Sequence, residues 1–154
     1  MFSEYLNKKH SQQHPVITNF LITFNPNLAP REEHDIEDTK QKLKLALHKL
    51  FSNFENFIDI YEGGKYNKKL VSVNFENIAS NVSVVPRVEV GKRKHNVHSH
   101  TMMSWSSSND YFFQINLNKL RKWIREHIIP DFHLEVKWVK NNRSVWEYIN
   151  KDYN

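Results

Sequence analysis

The chain contains no cysteine, which excludes disulfide frameworks, thiol catalysis and cysteine-ligated zinc. Glycine is scarce, and three residues are too few for a phosphate-binding P-loop or a dinucleotide-binding glycine fingerprint. Uninterrupted apolar runs are only a few residues long, as in Phe20-Leu21-Ile22, so no segment can span a membrane as a helix. The polar segment Met1–Pro15 lacks the apolar core of a signal peptide. We therefore expect an intracellular protein that is neither secreted nor membrane-bound.

The composition is that of a single basic domain. The 154 residues match one domain, and 39% hydrophobic with 25% charged residues is typical of a soluble globular protein. We expect residues 1–14 to be a flexible tail and residues 15–154 to form the domain. The net charge of +5 favours a polyanionic partner such as nucleic acid.

Hydrophobic spacing predicts an alternation of strands and helices. The better strands are Val16–Phe24, Val82–Val90, Asn96–Trp105 and Phe132–Val139, and the weaker candidates are Phe57–Tyr61, Leu70–Phe75 and Tyr111–Leu117. The predicted helices are Arg31–Phe54, a helix capped by Asn118 that stops at Pro130, and Ser144–Tyr153. The order predicts an α+β fold with a central antiparallel sheet of about five strands flanked by helices.

Histidines cluster near residue 100, where three of the nine lie close together. His98 and His100 are two positions apart on a predicted strand, so their side chains leave the same face. If residues 92–95 form the turn after the preceding strand, Glu89 lies opposite His98 and Arg87 opposite His100. Cβ atoms of such pairs are about 4.5–5.5 Å apart, so both imidazoles and the carboxylate can meet on one ion.

The hydrophobic pattern of the two strands favours the same register. It places an apolar set on the opposite face, namely Val88, Val90, Val97, Met103 and Trp105. A slip of one residue would move Glu89 to the face away from the histidines. Pattern and chemistry therefore predict one register.

The group of Glu89, His98 and His100 has the composition of an open metal site. Two imidazoles and one carboxylate leave coordination positions free, which suits a divalent cation that acts as a Lewis acid on a phosphate. The alternative interpretation is that the histidines are ordinary polar residues on a solvated strand face. His95 is a competing ligand, although it lies in the predicted turn.

The last predicted helix carries a tyrosine that core packing does not need. Val145, Trp146, Ile149 and Tyr153 form its apolar stripe, and Tyr148 points about 115° away from the centre of that stripe. A phenol in this position can act as a nucleophile toward a phosphodiester, and Lys151, one turn away, can orient the phosphate. The alternative is a helical tyrosine with no chemical role.

Taken in chain order, these segments resemble the three motifs of rolling-circle replication initiators. Phe20-Leu21-Ile22-Thr23-Phe24 resembles the first motif, and Glu89-Val90-Gly91 followed by His98-Ser99-His100 resembles the metal-binding second motif. Tyr148-Ile149-Asn150-Lys151 resembles the third motif, Y-x-x-K. The chain is most similar to the nuclease domain of Rep proteins of circular single-stranded DNA viruses, within the HUH endonuclease superfamily. Ser99 is small and polar, whereas that position is usually bulky and hydrophobic in the family.

The resemblance implies a metal-dependent endonuclease that nicks and rejoins single-stranded DNA at an origin stem-loop. It implies Mg²⁺ or Mn²⁺ on Glu89, His98 and His100, and a covalent 5′-phosphotyrosine on Tyr148 with help from Lys151. In a eukaryotic virus such a protein works in the host nucleus, and a helicase domain can follow the nuclease domain in a longer protein.

Basic and aromatic side chains near this region are candidates for DNA contacts. The basic ones are Arg87, Lys92, Arg93 and Lys94, which would bind backbone phosphates. The aromatic ones are Phe20, Phe24 and Trp105, which are either stacking platforms or, by the better-supported interpretation, core residues.

Two other functions remain open from the sequence, and so does a structural protein with none of this chemistry. One is a single-tyrosine HUH transposase or relaxase, although such transposases usually carry glutamine near the tyrosine where this chain has Lys151. The other is a non-catalytic nucleic-acid-binding module like the RNA-recognition domains, which also use a four-stranded antiparallel sheet. Such a module should carry aromatic residues on its sheet face and bind without metal.

Overall fold

A computed structural model describes residues 15–28, 35–63, 67–92 and 96–139. Within these ranges the chain forms two antiparallel sheets and three α-helices. The strands are β1 (Val16–Leu28), β2 (Ile58–Glu62), β3 (Lys69–Leu70), β4 (Ser80–Val90), β5 (Val97–Ser107), β6 (Tyr111–Ile115) and β7 (His133–Trp138). The helices are α1 (Asp35–Ser52), α2 (Phe75–Ile78) and α3 (Leu117–His127), with a 3₁₀ turn at Phe54–Phe57. The predicted α+β class with an antiparallel sheet and flanking helices is confirmed.

The strands divide between a larger and a smaller sheet. The central sheet has four strands in the order β4-β5-β1-β7, and the second sheet has three in the order β3-β2-β6. The long central strands β1 and β5 pair along nearly their whole length, from Val16 opposite Ser107 to Phe24 opposite Ser99. The sequence predicts about five strands in one sheet, because local periodicity does not report which strands pair.

The main core face of the central sheet is apolar at alternate positions. On β1 the core face carries Phe20, Ile22 and Phe24, and on β5 it carries Met103 and Trp105, all of them buried. Alternation with a period of two places these side chains on one side of the sheet and their neighbours on the other. The neighbours on the opposite face include both histidines of the predicted metal site.

Helix α1 covers part of the core face. Its buried residues are Leu43, Leu47 and Leu50, at helical spacing. Acidic residues occupy its first turn and Lys49 its last, which suits the positive N-terminal and negative C-terminal ends of the helix dipole. The helix ends at Ser52, before the predicted end at Phe54, and residues 31–34 of the predicted range lie outside the described residues.

Two local predictions are wrong. The predicted strand Leu70–Phe75 ends at Leu70, and helix α2 follows, because the Asn74 side chain accepts a hydrogen bond from the backbone N–H of Glu76 and caps that helix. Helix α3 is capped by Asn116, whose side chain accepts from the N–H of Lys119, and not by Asn118. Asparagine at alternate positions made the choice of cap ambiguous. The predicted helix Ser144–Tyr153 lies outside the described residues.

Aromatic rings fill the space between the two sheets. Trp105 is 1% exposed and lies 5.7 Å from Phe20, 5.2 Å from Phe75 and 5.3 Å from Phe113, measured between ring centroids. Phe24 is also fully buried. The interpretation of Phe20, Phe24 and Trp105 as core residues is therefore confirmed, and their use as stacking platforms is wrong. In the described part of the chain, no helix is long and apolar enough to cross a membrane.

Candidate metal centre

The β4–β5 pairing has the register that the hydrophobic pattern predicted. Glu89 pairs with His98, Arg87 with His100, and Val90 with Val97. Val88 and Val90 pack against the core cluster that contains Val97, Met103 and Trp105, as predicted. Glu89, His98 and His100 consequently project from the other face.

The three side chains converge on one point. His98 Nε2 and His100 Nε2 each lie 3.4 Å from Glu89 Oε2. The side chains are 12% exposed for Glu89, 20% for His98 and 11% for His100, so the group is largely withdrawn from solvent. The two imidazole rings are perpendicular, with centroids 5.3 Å apart, so that both present nitrogen toward the carboxylate.

The outer nitrogen of each ring is held by the protein. His98 Nδ1 lies 3.3 Å from the carbonyl oxygen of Asn96, which can only accept a proton, so Nδ1 carries the hydrogen of neutral His98. His100 Nδ1 lies 3.1 Å from Thr23 Oγ1, which can accept in the same way. When Nδ1 carries the hydrogen of each neutral ring, each Nε2 directs its lone pair toward Glu89, as in metal sites whose histidines are oriented by outer hydrogen bonds.

The Asn96 carbonyl that orients His98 lies just before β5 and is itself held by the end of β4. The same carbonyl accepts a hydrogen bond of 2.9 Å from the backbone N–H of Gly91, at the end of β4. A side chain at position 91 would collide with the Asn96 side chain, so only glycine fits here without a shift. The hydrogen bond from Gly91 therefore holds the carbonyl that orients His98.

Glu89, His98 and His100 could bind a metal ion. Their ligand atoms all lie within 4.8 Å of one another. In the Nδ1-protonated tautomer the two Nε2 lone pairs and the Glu89 carboxylate repel each other unless a proton or a cation lies between them, and 3.4 Å is longer than a good N–H···O hydrogen bond. Glu89 Oε1 is also buried with no hydrogen-bond partner among the described residues. The donor set and its unused acceptor atom therefore suit a divalent cation.

Comparisons with protein-family models, with curated proteins and with solved structures find no match for this chain. The case for any function therefore comes from the geometry of the site and from the sequence motifs.

Two of the four predicted phosphate-binding residues are described. Arg87 is half-buried on β4, opposite His100, and Lys92 is exposed just beyond the end of that strand. Arg87 therefore lies beside the candidate metal centre, and Lys92 follows Glu89 closely in sequence. Arg93 and Lys94 lie outside the described residues, as does the competing ligand His95.

The predicted catalytic residues Tyr148 and Lys151 also lie outside the described residues. Their assignment stays a prediction from the helical pattern and from the resemblance to the Y-x-x-K motif.

The site includes two residues that the sequence did not single out as partners of the histidines, Thr23 and Asn96. Thr23 is paired with His100 across β1 and β5, which are distant in sequence. Its position between the buried Ile22 and Phe24 already placed it on the polar face of β1. Only the strand order, which local patterns do not report, could have identified its partner.

A cleft of about 650 Å³ lies on the core side of β4, between that strand and α1. Its lining residues are Lys44, Leu47, His48, Phe51, Ser52, Val84, Pro86, Arg87 and Val88. None of the three candidate ligands lines it, so the cleft is separate from the candidate metal centre, which lies on the opposite face of the sheet.

We expect Thr23→Val to weaken Mn²⁺ binding by about tenfold, the lower end of the range for outer-sphere partners of ligating histidines. Valine keeps the shape of threonine but cannot accept the proton of His100 Nδ1, so the ring loses its preferred tautomer and orientation. Isothermal titration with Mn²⁺ measures the change. Thr18→Val is the matched control, because Thr18 is buried on the same strand but on the opposite face. Equal affinity in the two variants would show that Thr23 does not orient His100.

Proposed function

We propose that this protein is a metal-dependent endonuclease that nicks and rejoins single-stranded DNA at a replication origin and so initiates rolling-circle replication. The observation that carries the proposal is the convergence of His98 Nε2 and His100 Nε2 on Glu89 Oε2 at 3.4 Å. An acid and two histidines in this order are the second motif of the rolling-circle initiators that the chain resembles. The sequence Tyr148-Ile149-Asn150-Lys151 supplies a matching third motif.

The composition of the triad favours phosphate chemistry over a closed structural site. Glu89, His98 and His100 are three protein ligands, so further coordination positions stay open to a substrate. We propose Mg²⁺ or Mn²⁺ as the ion. When bound, such an ion supplies Lewis-acid polarisation of a phosphate oxygen.

In the proposed reaction, the phenolic oxygen of Tyr148 attacks the phosphorus of the scissile phosphodiester. A tyrosine–phosphorus ester bond forms as the bond from phosphorus to the 3′ oxygen breaks. The phenol gives up its proton, and the departing 3′ oxygen takes up a proton to become a 3′-OH. The same 3′-OH can attack the phosphotyrosine and reverse the reaction, so nicking and rejoining share one intermediate.

The remaining charged residues have binding roles in this proposal. Lys151 neutralises charge at the phosphate that is attacked. Arg87 and Lys92, with Arg93 and Lys94, bind backbone phosphates beside the site, independently of base sequence. The partner is a single-stranded origin stem-loop, and a helicase domain in a longer protein would extend the opened strand. A eukaryotic virus would require this activity in the host nucleus.

The test is a nicking assay on a random-sequence pool of single-stranded DNA. We expect the protein to cleave members of the pool in Mn²⁺ or Mg²⁺, to leave a free 3′-OH on one fragment and to remain covalently attached to the other. Chelation by EDTA should stop the reaction. Sequencing of the captured strands would give the recognition site.

Two outcomes would contradict the proposal. One is cleavage that continues unchanged in EDTA, which would remove the metal from the mechanism. The other is the absence of any covalent adduct across the whole pool in Mn²⁺, while the protein binds Mn²⁺ and single-stranded DNA. The second outcome would favour a non-catalytic binding module.

A further inference from the structure

The outer face of the second sheet exposes a row of large side chains that crosses all three strands. Tyr61, in the middle strand β2, pairs with Leu70 of β3 on one side and with Phe112 of β6 on the other. Phe112 is 43% exposed and Leu70 59%. We call these three residues the aromatic row. At a strand spacing of about 4.8 Å, the row is about 10 Å wide.

The three residues of the aromatic row do not pack against the core cluster. The neighbouring residues Ile58 and Ile60 of β2 are buried, and Phe113 and Ile115 of β6 pack against the core cluster. Strand alternation therefore assigns the inner face to the core and leaves Tyr61 and Phe112 on the outer one. Two adjacent aromatic residues on an outward face lower the solubility of a protein. Exposed apolar patches of this kind mark interaction sites.

A cation accompanies the aromatic row. Lys68 Nζ lies 5.0 Å from the centroid of the Phe112 ring. At an exposed site a cation–π contact of this kind is weak. A stacked base gains more than this contact provides, so it can displace the ammonium group from the ring. The flexible lysine side chain then reaches the phosphate of the same nucleotide.

Acidic charge lies on one side of the aromatic row. Asp59 pairs with Gln114 one row away, on the same face as Tyr61. A phosphate backbone would be repelled from that side and attracted to the side of Lys68. The distribution of charge therefore defines a direction for a bound strand, which a purely apolar docking patch would not have.

We propose that the aromatic row binds single-stranded nucleic acid by base stacking on Tyr61 and Phe112, with Lys68 on the backbone. Stacking platforms beside a cation are how proteins hold single strands without reading base sequence. The surface is separate from the candidate metal centre, which lies on the central sheet. The inference goes beyond the proposed nicking activity and needs neither metal nor Tyr148.

Fluorescence anisotropy with labelled oligothymidine in EDTA tests the proposal. We expect Tyr61→Ala and Phe112→Ala each to weaken binding by about tenfold, within the range for removal of one stacking partner. Phe112→Tyr should restore binding, since it keeps the ring. Leu45→Ala is the matched control, because Leu45 is an exposed apolar residue on α1 (71% exposed) and should bind as the wild type does.

Charge variants and a duplex probe sharpen the test. Lys68→Gln should make the slope of log K against log salt less negative by about 0.7, as expected for the loss of one phosphate contact to a single strand. Asp59→Asn should strengthen binding. Duplex DNA of the same sequence should lose no affinity on Phe112→Ala, because its bases are already stacked.

Unchanged oligothymidine affinity in Tyr61→Ala and Phe112→Ala, with thermal unfolding like that of the wild type, would overturn the proposal. If the same substitutions instead dissociated a dimer in size-exclusion chromatography and left DNA binding unchanged, the aromatic row would be an interface between copies of this chain. Running the titrations in the His98→Ala/His100→Ala background separates this outcome from any failure of the nicking proposal.

Discussion

Tyr148→Phe is expected to reduce the covalent protein–DNA adduct to background. Phenylalanine keeps the ring but has no oxygen to attack phosphorus, so the ester bond cannot form. Binding of single-stranded DNA should change little, because the hydroxyl contributes to the reaction and not to the electrostatic attraction of the backbone. The measurement is the amount of labelled strand that stays with the protein in denaturing gels after incubation with Mn²⁺.

Tyr153→Phe is the matched control for that variant. The helical pattern assigns Tyr153 to the apolar stripe of the last predicted helix, so its hydroxyl has no role in the reaction, and adduct formation should stay at the wild-type level. If Tyr153→Phe lost the adduct and Tyr148→Phe kept it, the nucleophile would be Tyr153. If both variants kept it, no tyrosine of this helix would be the nucleophile.

The second large effect is expected at the candidate metal centre. Replacing both imidazoles, in His98→Ala/His100→Ala, should lower Mn²⁺ affinity by more than about 100-fold, because loss of two ligands exceeds the effect of losing an outer-sphere partner. Glu89→Gln should also bind weakly, since it removes the only negative charge of the triad while keeping its volume. Isothermal titration measures both variants. His48→Ala, an exposed histidine on α1, is the control for loss of an imidazole.

Thermal unfolding gives an independent readout of the same site. A ligand at 100 times its Kd stabilises the folded protein by about 2.7 kcal/mol, which for a chain of this size corresponds to a rise in Tm of about 5 to 10 °C. The wild type and His48→Ala should show this rise with Mn²⁺, and His98→Ala/His100→Ala should not. An equal rise in all three proteins would move the metal site elsewhere in the chain.

The metal triad was predictable from sequence because two local signals coincided. Alternation of Val88 and Val90 with Arg87 and Glu89 defined the faces of β4, and His98 and His100 had the same period on the next strand. Because the segment between β4 and β5 is short, only a few pairing registers of these two strands were possible. The pairing of Glu89 with His98 confirms this reasoning.

The wider arrangement was not predictable in the same way. The pairing of Thr23 with His100 and the division of strands between two sheets depend on contacts between residues far apart in sequence. Local periodicity shows which face of a strand is buried but not which strand lies beside it. The outer aromatic residues Tyr61 and Phe112 were missed for the same reason, since each is a single exposed ring until β2 and β6 are paired.

The small residue between the histidines has a structural explanation. Ser99 is fully buried on the core face, directly opposite Phe24 in the neighbouring strand β1, which is also fully buried. Its hydroxyl lies 3.4 Å from the carbonyl oxygen of Phe24 and can donate to it. A small residue facing a large one fills the layer without strain, whereas a bulky residue at position 99 would require the Phe24 ring to move. A small residue at position 99 is therefore compatible with the candidate metal centre on the opposite face.

Pro86 lies within β4, a terminal strand of the central sheet in the part of the chain that the structure describes. Proline has no N–H to offer, so it is tolerated at a sheet margin and interrupts any continuous ladder that another molecule could add there. Two protein molecules that met along this strand could not form a continuous backbone hydrogen-bond ladder past residue 86. The strand that carries Glu89 is thereby protected against edge-to-edge aggregation.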